Sequence, residues 1–380
     1  MLPPGLSGND VFLVQHFFYT ISRLLASTSD RSINVYCHLM LPMALSSPLV
    51  LDAVLLLSAT HLSSRYDAFQ ASNARYRARV LHALIGRIDT YHGGFFELTT
   101  LATILLLSIT EVFEGRSPED WVKHLGAAGR IIAGRLARCR HPPDKPTRMI
   151  LDIFAYHNVL AMVATGGAQP SLYVEEFYAD AKWASLSGKR TAFLASVDTL
   201  LSIAARLSSL AGRVPSQLEG RGEQSAALID RLGQQLRYWS PPEGIEPDTS
   251  STAEAMRQAT LILYHKLAHA GTAEPSDEAL RCSALIVSYL RGIPLGSSTV
   301  ASHVWPLYMA GSVLTGSSTD DDPEREENRR FIRDRLVAMR SERGIKSLDV
   351  VRTRLEEIWA SSTEGGLGAE EMRERTVFLF

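Results

Sequence analysis

Enzyme signatures are what this sequence most visibly lacks. Its 380 residues hold no G-x-S-x-G elbow, no H-E-x-x-H, no P-loop and no C-x-x-C. The hydrolase, zinc-protease, nucleotide and dithiol chemistries built on those motifs therefore have no anchor. Cysteine is scarce: Cys37, Cys139 and Cys282 lie far apart and form no disulfide framework, so a reducing compartment is the simpler reading. The opening residues, Met1-Leu2-Pro3-Pro4-Gly5, lack the basic-then-apolar pattern of a secretory signal. No long hydrophobic run exists either. The greasiest stretch, Leu98 to Phe113, is interrupted by Thr99, Thr100, Thr103, Ser108, Thr110 and Glu111. It is too short and too polar to span a bilayer, and reads as a buried core helix. An excess of either charge is also missing. A formal net charge of −2 gives no global basic field to hold the chain on nucleic acid or an anionic membrane.

What remains is an ordinary globular composition, 46% hydrophobic and 21% charged, long enough to bury a sizeable core without staples. Apolar residues recur at three- and four-residue spacing almost throughout, and alternating β-branched runs are absent. The pattern predicts helices near 9–27, 48–66, 71–92, 96–113, 118–138, 147–164, 191–213, 223–239, 251–271, 276–292, 301–315, 324–342 and 348–361. Ser117-Pro118-Glu119-Asp120 suits a helix start, and Gly115 suits the stop before it. Ser240-Pro241-Pro242-Glu243-Gly244 is the clearest loop. No repeat of 20–50 residues emerges. The expected fold is all-α: a large compact array of about 12–13 helices over residues 1–362, with a short tail at 363–380. It is read as a single domain, with two lobes as the variant, dividing around 165–190 or at the 240–250 loop.

Two patterns bear on metals. Asp320-Asp321-Asp322-Pro323-Glu324 contains an Asp-Asp-x-x-Glu spacing, as in magnesium sites of isoprenoid-diphosphate enzymes. Pro323 marks a helix start there, and acids before a helix are favourable without a metal. His265 and His269 share one helix face at i, i+4, which a zinc ion could use, but spacing identifies no third ligand. No metal and no cofactor are expected.

Three segments, in order, carry a resemblance. The first holds Leu41-Pro42-Met43-Ala44 and then Leu49 to Leu62. The second runs from Leu101 through Glu111 and Gly115 to Trp121-Val122-Lys123-His124-Leu125-Gly126-Ala127-Ala128. The third holds Trp305-Pro306-Leu307-Tyr308-Met309-Ala310-Gly311, Arg330 to Met339, and Leu355-Glu356-Glu357-Ile358-Trp359. Together they resemble the fungal-specific transcription factor domain, the regulatory region that follows the zinc binuclear cluster in fungal activators. The resemblance implies an α-helical fold and control of transcription, often in response to a small molecule. The six-cysteine cluster that members usually carry upstream is not in this sequence. Either the chain starts after the DNA-binding part or the protein naturally lacks it.

Six residues stand out as candidates for a ligand pocket: His61, Tyr66, His124, Tyr156, His157 and Trp305. Each has two readings. His61 is a polar contact in a cavity or a general base, or else a histidine bonded between packed helices. His124 follows Trp121 on a face with small neighbours, which suits helix packing or a ligand. Tyr156 and His157 are the most polar insertion in a core-like helix, and buried polar groups need partners. Trp305 fills core or pocket at a helix start. The expected partners are a small hydrophobic ligand and a protein partner or second copy, without direct nucleic-acid or membrane binding. The location is the nucleus for a transcription factor and the cytoplasm otherwise. The alternative function is a stand-alone helical enzyme of isomerase, cyclase or dehydratase type, acting on a hydrophobic natural product in a fungal biosynthetic pathway.

Overall fold

The computed structural model describes residues 5–26, 30, 34–89, 97–116, 118–136, 144–164, 192–211, 222–269, 274–315 and 322–361. Every regular element among them is helical. α1 (Gly8–His16) runs through a π-helical turn, Phe17–Ile21, into Ser22–Leu25. A second π turn, Tyr36–Met40, leads into α2 (Leu41–Ser46), and α3 (Pro48–Ser63), α4 (Gln70–Asp89), α5 (Leu98–Glu114), α6 (Pro118–Leu136) and α7 (Lys145–Ala164) follow. Then come α8 (Ala192–Ala211), α9 (Gly222–Tyr238), α10 (Pro247–Ala268), α11 (Asp277–Arg291), α12 (Val304–Gly311), α13 (Pro323–Arg343) and α14 (Ser347–Ser361). Each expected helix has its counterpart. α2 is the one the periodicity did not announce: it is six residues long, and Pro42, in its first turn, reads as a breaker.

The chain forms two units. The first comprises Met1–Asn158, Glu176–Thr191 and Arg343–Ser347, and the second comprises Val159–Glu175, Ala192–Glu342 and Leu348–Phe380. The tail at 363–380 and residues 165–190 lie outside the described residues.

In the first unit α3 is the central element, packed against α1, α2, α4 and α5. Every residue from Leu49 to Ser63 is buried. A helix apolar all round has no face to give to water, so it must be enclosed. α5 behaves likewise from Thr100 to Phe113. Its hydroxyls satisfy themselves: Thr103 and Thr110 donate to the carbonyls of Thr99 and Leu106 at 2.8 Å, and Ser108 to that of Trp121 at 3.2 Å. The interrupted apolar run is thus a core helix, and no helix among the described residues is long and apolar enough to cross a membrane. Gly115, at φ +70°, ends α5 in the left-handed conformation that glycine favours.

The second unit is organised on α10, which packs against α8, α9, α11 and α12. Two close approaches fix its geometry. A β-carbon on Gly233 would meet the Tyr264 ring at 2.5 Å, and one on Gly311 would meet Leu355 at 2.7 Å. Trp359 donates its indole N–H to the Gly311 carbonyl at 2.9 Å, and the guanidinium of Arg329 lies over its ring. α14 is thereby pinned to α12.

Candidate functional site

His61 sits in the last turn of α3 with 5% of its surface exposed. Its two ring nitrogens are both engaged. Nε2 lies 2.9 Å from the backbone carbonyl of Arg343, and Nδ1 lies 2.9 Å from Nε2 of His16 on α1. A carbonyl oxygen only accepts, so the His61 proton is on Nε2. Nδ1 must then accept, and His16 donates to it from Nε2. The pair is an ordered relay, His16 to His61 to Arg343, with each tautomer set by the next acceptor. Burial first, then the His61 ring and the Arg65 charge, hold the His16 imidazole down to about 4, so His16 is neutral at ordinary pH.

The far end of the relay is a clamped turn. Arg343 donates from its guanidinium to the Leu24 carbonyl, and the Lys346 amide donates to the Phe113 carbonyl at 3.1 Å. Between them Gly344 takes φ +69°, and a β-carbon there would fall 2.8 Å from His61 Nε2. The Phe113 ring meets His61 edge-on at 5.9 Å. A short turn, a buried histidine and the ends of α1, α3 and α5 therefore lock together.

A second polar cluster lies between α3, α4 and α5. Arg77 reaches Glu111 and Glu114 at 2.5 Å each, and Arg116 reaches them at 3.1 and 2.7 Å. Asn73 donates to Thr60 and Glu114 at 3.1 Å. Burial opposes the charge on Glu114, but bonds from Arg116, Arg77 and Asn73 outweigh it and hold the carboxyl below its usual range. Two cations face two anions, so the cluster is neutral and internally satisfied. That suits holding helices in register better than attracting a charged ligand.

The remaining candidates are placed as follows. Tyr66, past the end of α3, is 56% exposed. His124 on α6 is half-buried. Burial lowers its pKa, and the Glu111 charge partly offsets this. Tyr156 and His157 on α7 touch edge-on at 5.6 Å, and burial alone takes His157 down to about 3, leaving it neutral. The Tyr36 phenol is pushed up by burial and by Tyr156. Trp305, in the first turn of α12, belongs to the second unit and is 2% exposed. Sequence reading missed His16 and the Arg343 carbonyl, because their bonds to His61 span 45 and 282 positions.

No group of three or more metal-ligating side chains occurs among the described residues. His269 Nδ1 lies 3.0 Å from the His265 carbonyl at the end of α10. Asp320 and Asp321 lie outside the described residues, and Asp322 caps α13 by accepting from the Arg325 amide at 3.0 Å. Cys37 and Cys282 are free thiols; Cys139 lies outside the described residues.

Residues 12–371 match the sequence model of a family described as the fungal specific transcription factor domain. Comparison with curated proteins and with solved structures gave no match.

Proposed function

The chain belongs to the fungal specific transcription factor domain family, and from that premise we propose that it is the ligand-responsive regulatory part of a transcription factor that acts in the nucleus. The family match, covering nearly the whole chain, is the observation that carries this reading. Two further features support it. A net charge of −2 leaves the recognition of DNA to another module. The polar clusters of the first unit are internally satisfied, as expected of a scaffold whose packing transmits a signal rather than of a reaction centre.

In this mechanism a small molecule binds within the helical array and favours one packing of it over another, which changes how the transcription apparatus is engaged. A ligand shifts such an equilibrium only by its differential affinity for the two packings. The test is to fuse the chain to an unrelated DNA-binding module above a reporter gene. Output should change several-fold relative to the module alone. Identical output with and without the chain overturns the proposal.

A further inference from the structure

We propose that Ser240, in the loop between α9 and α10, is a phosphorylation site for a proline-directed kinase. The site is a property of this loop and does not rest on the ligand-responsive reading.

Serine followed by proline occurs three times in the sequence, at Ser47-Pro48, Ser117-Pro118 and Ser240-Pro241. Ser117 lies outside the described residues. The other two sit in opposite surroundings. Ser47 is 8% exposed and stands at the start of α3. Its amide donates to the Met43 carbonyl at 2.9 Å, and its carbonyl accepts from the Leu51 amide at 3.0 Å. Both of its backbone groups are built into helices, so a kinase reaches its hydroxyl only after local opening of the fold. Ser240 is exposed, and no helix includes it.

From Tyr238 to Pro242 exposure alternates along the chain. Tyr238, Ser240 and Pro242 are exposed, Tyr238 to 90%, while Trp239 and Pro241 are half-buried. Alternation with a period of two marks an extended chain, and a proline biases the residue before it toward that conformation. Trp239 and Pro241 therefore seat the segment, and Ser240 points outward between them. Among the described residues, no backbone bond outside the helices involves residues 240–245, and the Ser240 hydroxyl has no partner. Ser240 can thus enter a kinase cleft without unfolding either α9 or α10.

In the transfer, Ser240 Oγ attacks the γ-phosphorus of a nucleoside triphosphate. The Oγ–P bond forms, the bond from that phosphorus to the bridging oxygen breaks, and the nucleoside diphosphate leaves. The hydroxyl proton passes to the general base of the kinase. The product adds a charge of about −1.5 to −2 at neutral pH. The ionisable residues of the loop are Glu243 and Glu246, so a weakly acidic surface becomes a strongly acidic one.

The experiment incubates the purified full chain with a proline-directed kinase and a nucleoside triphosphate, and maps phosphopeptides by mass spectrometry over time. Phosphate should appear on Ser240 at least about tenfold faster than on Ser47, which waits on local opening. Pro241→Ala should slow labelling of Ser240 by about tenfold or more, because it removes the residue the kinase reads and the bias toward extended chain. That variant touches a loop held by no backbone bond, so its fold is retained. Ser240 left unmodified, Ser240 modified no faster than Ser47, or Pro241→Ala modified at the native rate overturns the proposal.

Discussion

Gly344 lies so close to His61 that a β-carbon on it would fall 2.8 Å from the imidazole Nε2. The backbone there is also left-handed, at φ +69°. Two independent constraints thus require glycine at one position, and the first prediction follows from their sum.

Gly344→Ala should destabilise the chain by at least about 1–2 kcal/mol from the left-handed backbone alone, with displacement of His61 adding to it. Urea unfolding monitored by circular dichroism checks this. An unchanged midpoint would mean that the turn does not depend on its approach to His61.

The neutral His16 makes stability depend on acid. Its folded pKa, about 4, lies below the ordinary histidine value of 6.5, so the unfolded chain binds the proton more readily. The His16 contribution is present above about pH 6.5 and is lost as the pH falls toward about 4. His16→Gln should flatten the decline in unfolding free energy across that window. The comparison must be made with the native chain, because His124 and His157 are shifted in the same direction. Parallel curves for the two proteins would contradict the assignment.

Arg77→Met should cost about 1–3 kcal/mol, since it leaves Glu111 and Glu114 sharing Arg116 alone. Adding Glu114→Gln should recover part of the loss. A double-mutant cycle measures the coupling, and strict additivity would argue against a shared cluster.

At the α12–α14 contact, Gly311→Ala overpacks Leu355 and should cost about 1–3 kcal/mol. Combined with Leu355→Val, it should cost less than the two single changes added together, because the smaller side chain makes room for the methyl. Calorimetric unfolding of the four proteins gives the answer.

Sequence periodicity reached the helices because long amphipathic or wholly apolar runs announce themselves locally. α3 and α5 were legible for that reason, and α2 was not, being short and carrying Pro42. The candidate site was legible only in part. His61 stood out as a polar residue in an apolar helix, but its partners come from α1 and from a turn far along the chain, and spacing carries no record of such pairings. The expected helix 48–66 ran three residues beyond the end of α3, which put Tyr66 on a helix it does not join.

The turn Arg343–Ser347 also sets a timetable. It belongs to the first unit, yet the ribosome delivers it after most of the second, and the carbonyl that receives the His61 proton lies 282 residues downstream. At roughly 5–20 residues per second, His61 waits on the order of a quarter of a minute to a minute for that carbonyl. A nascent chain stalled before Arg343 would carry a finished α3 whose His61 has yet to meet the Arg343 carbonyl, so this protein cannot complete its first half until it has nearly made its second.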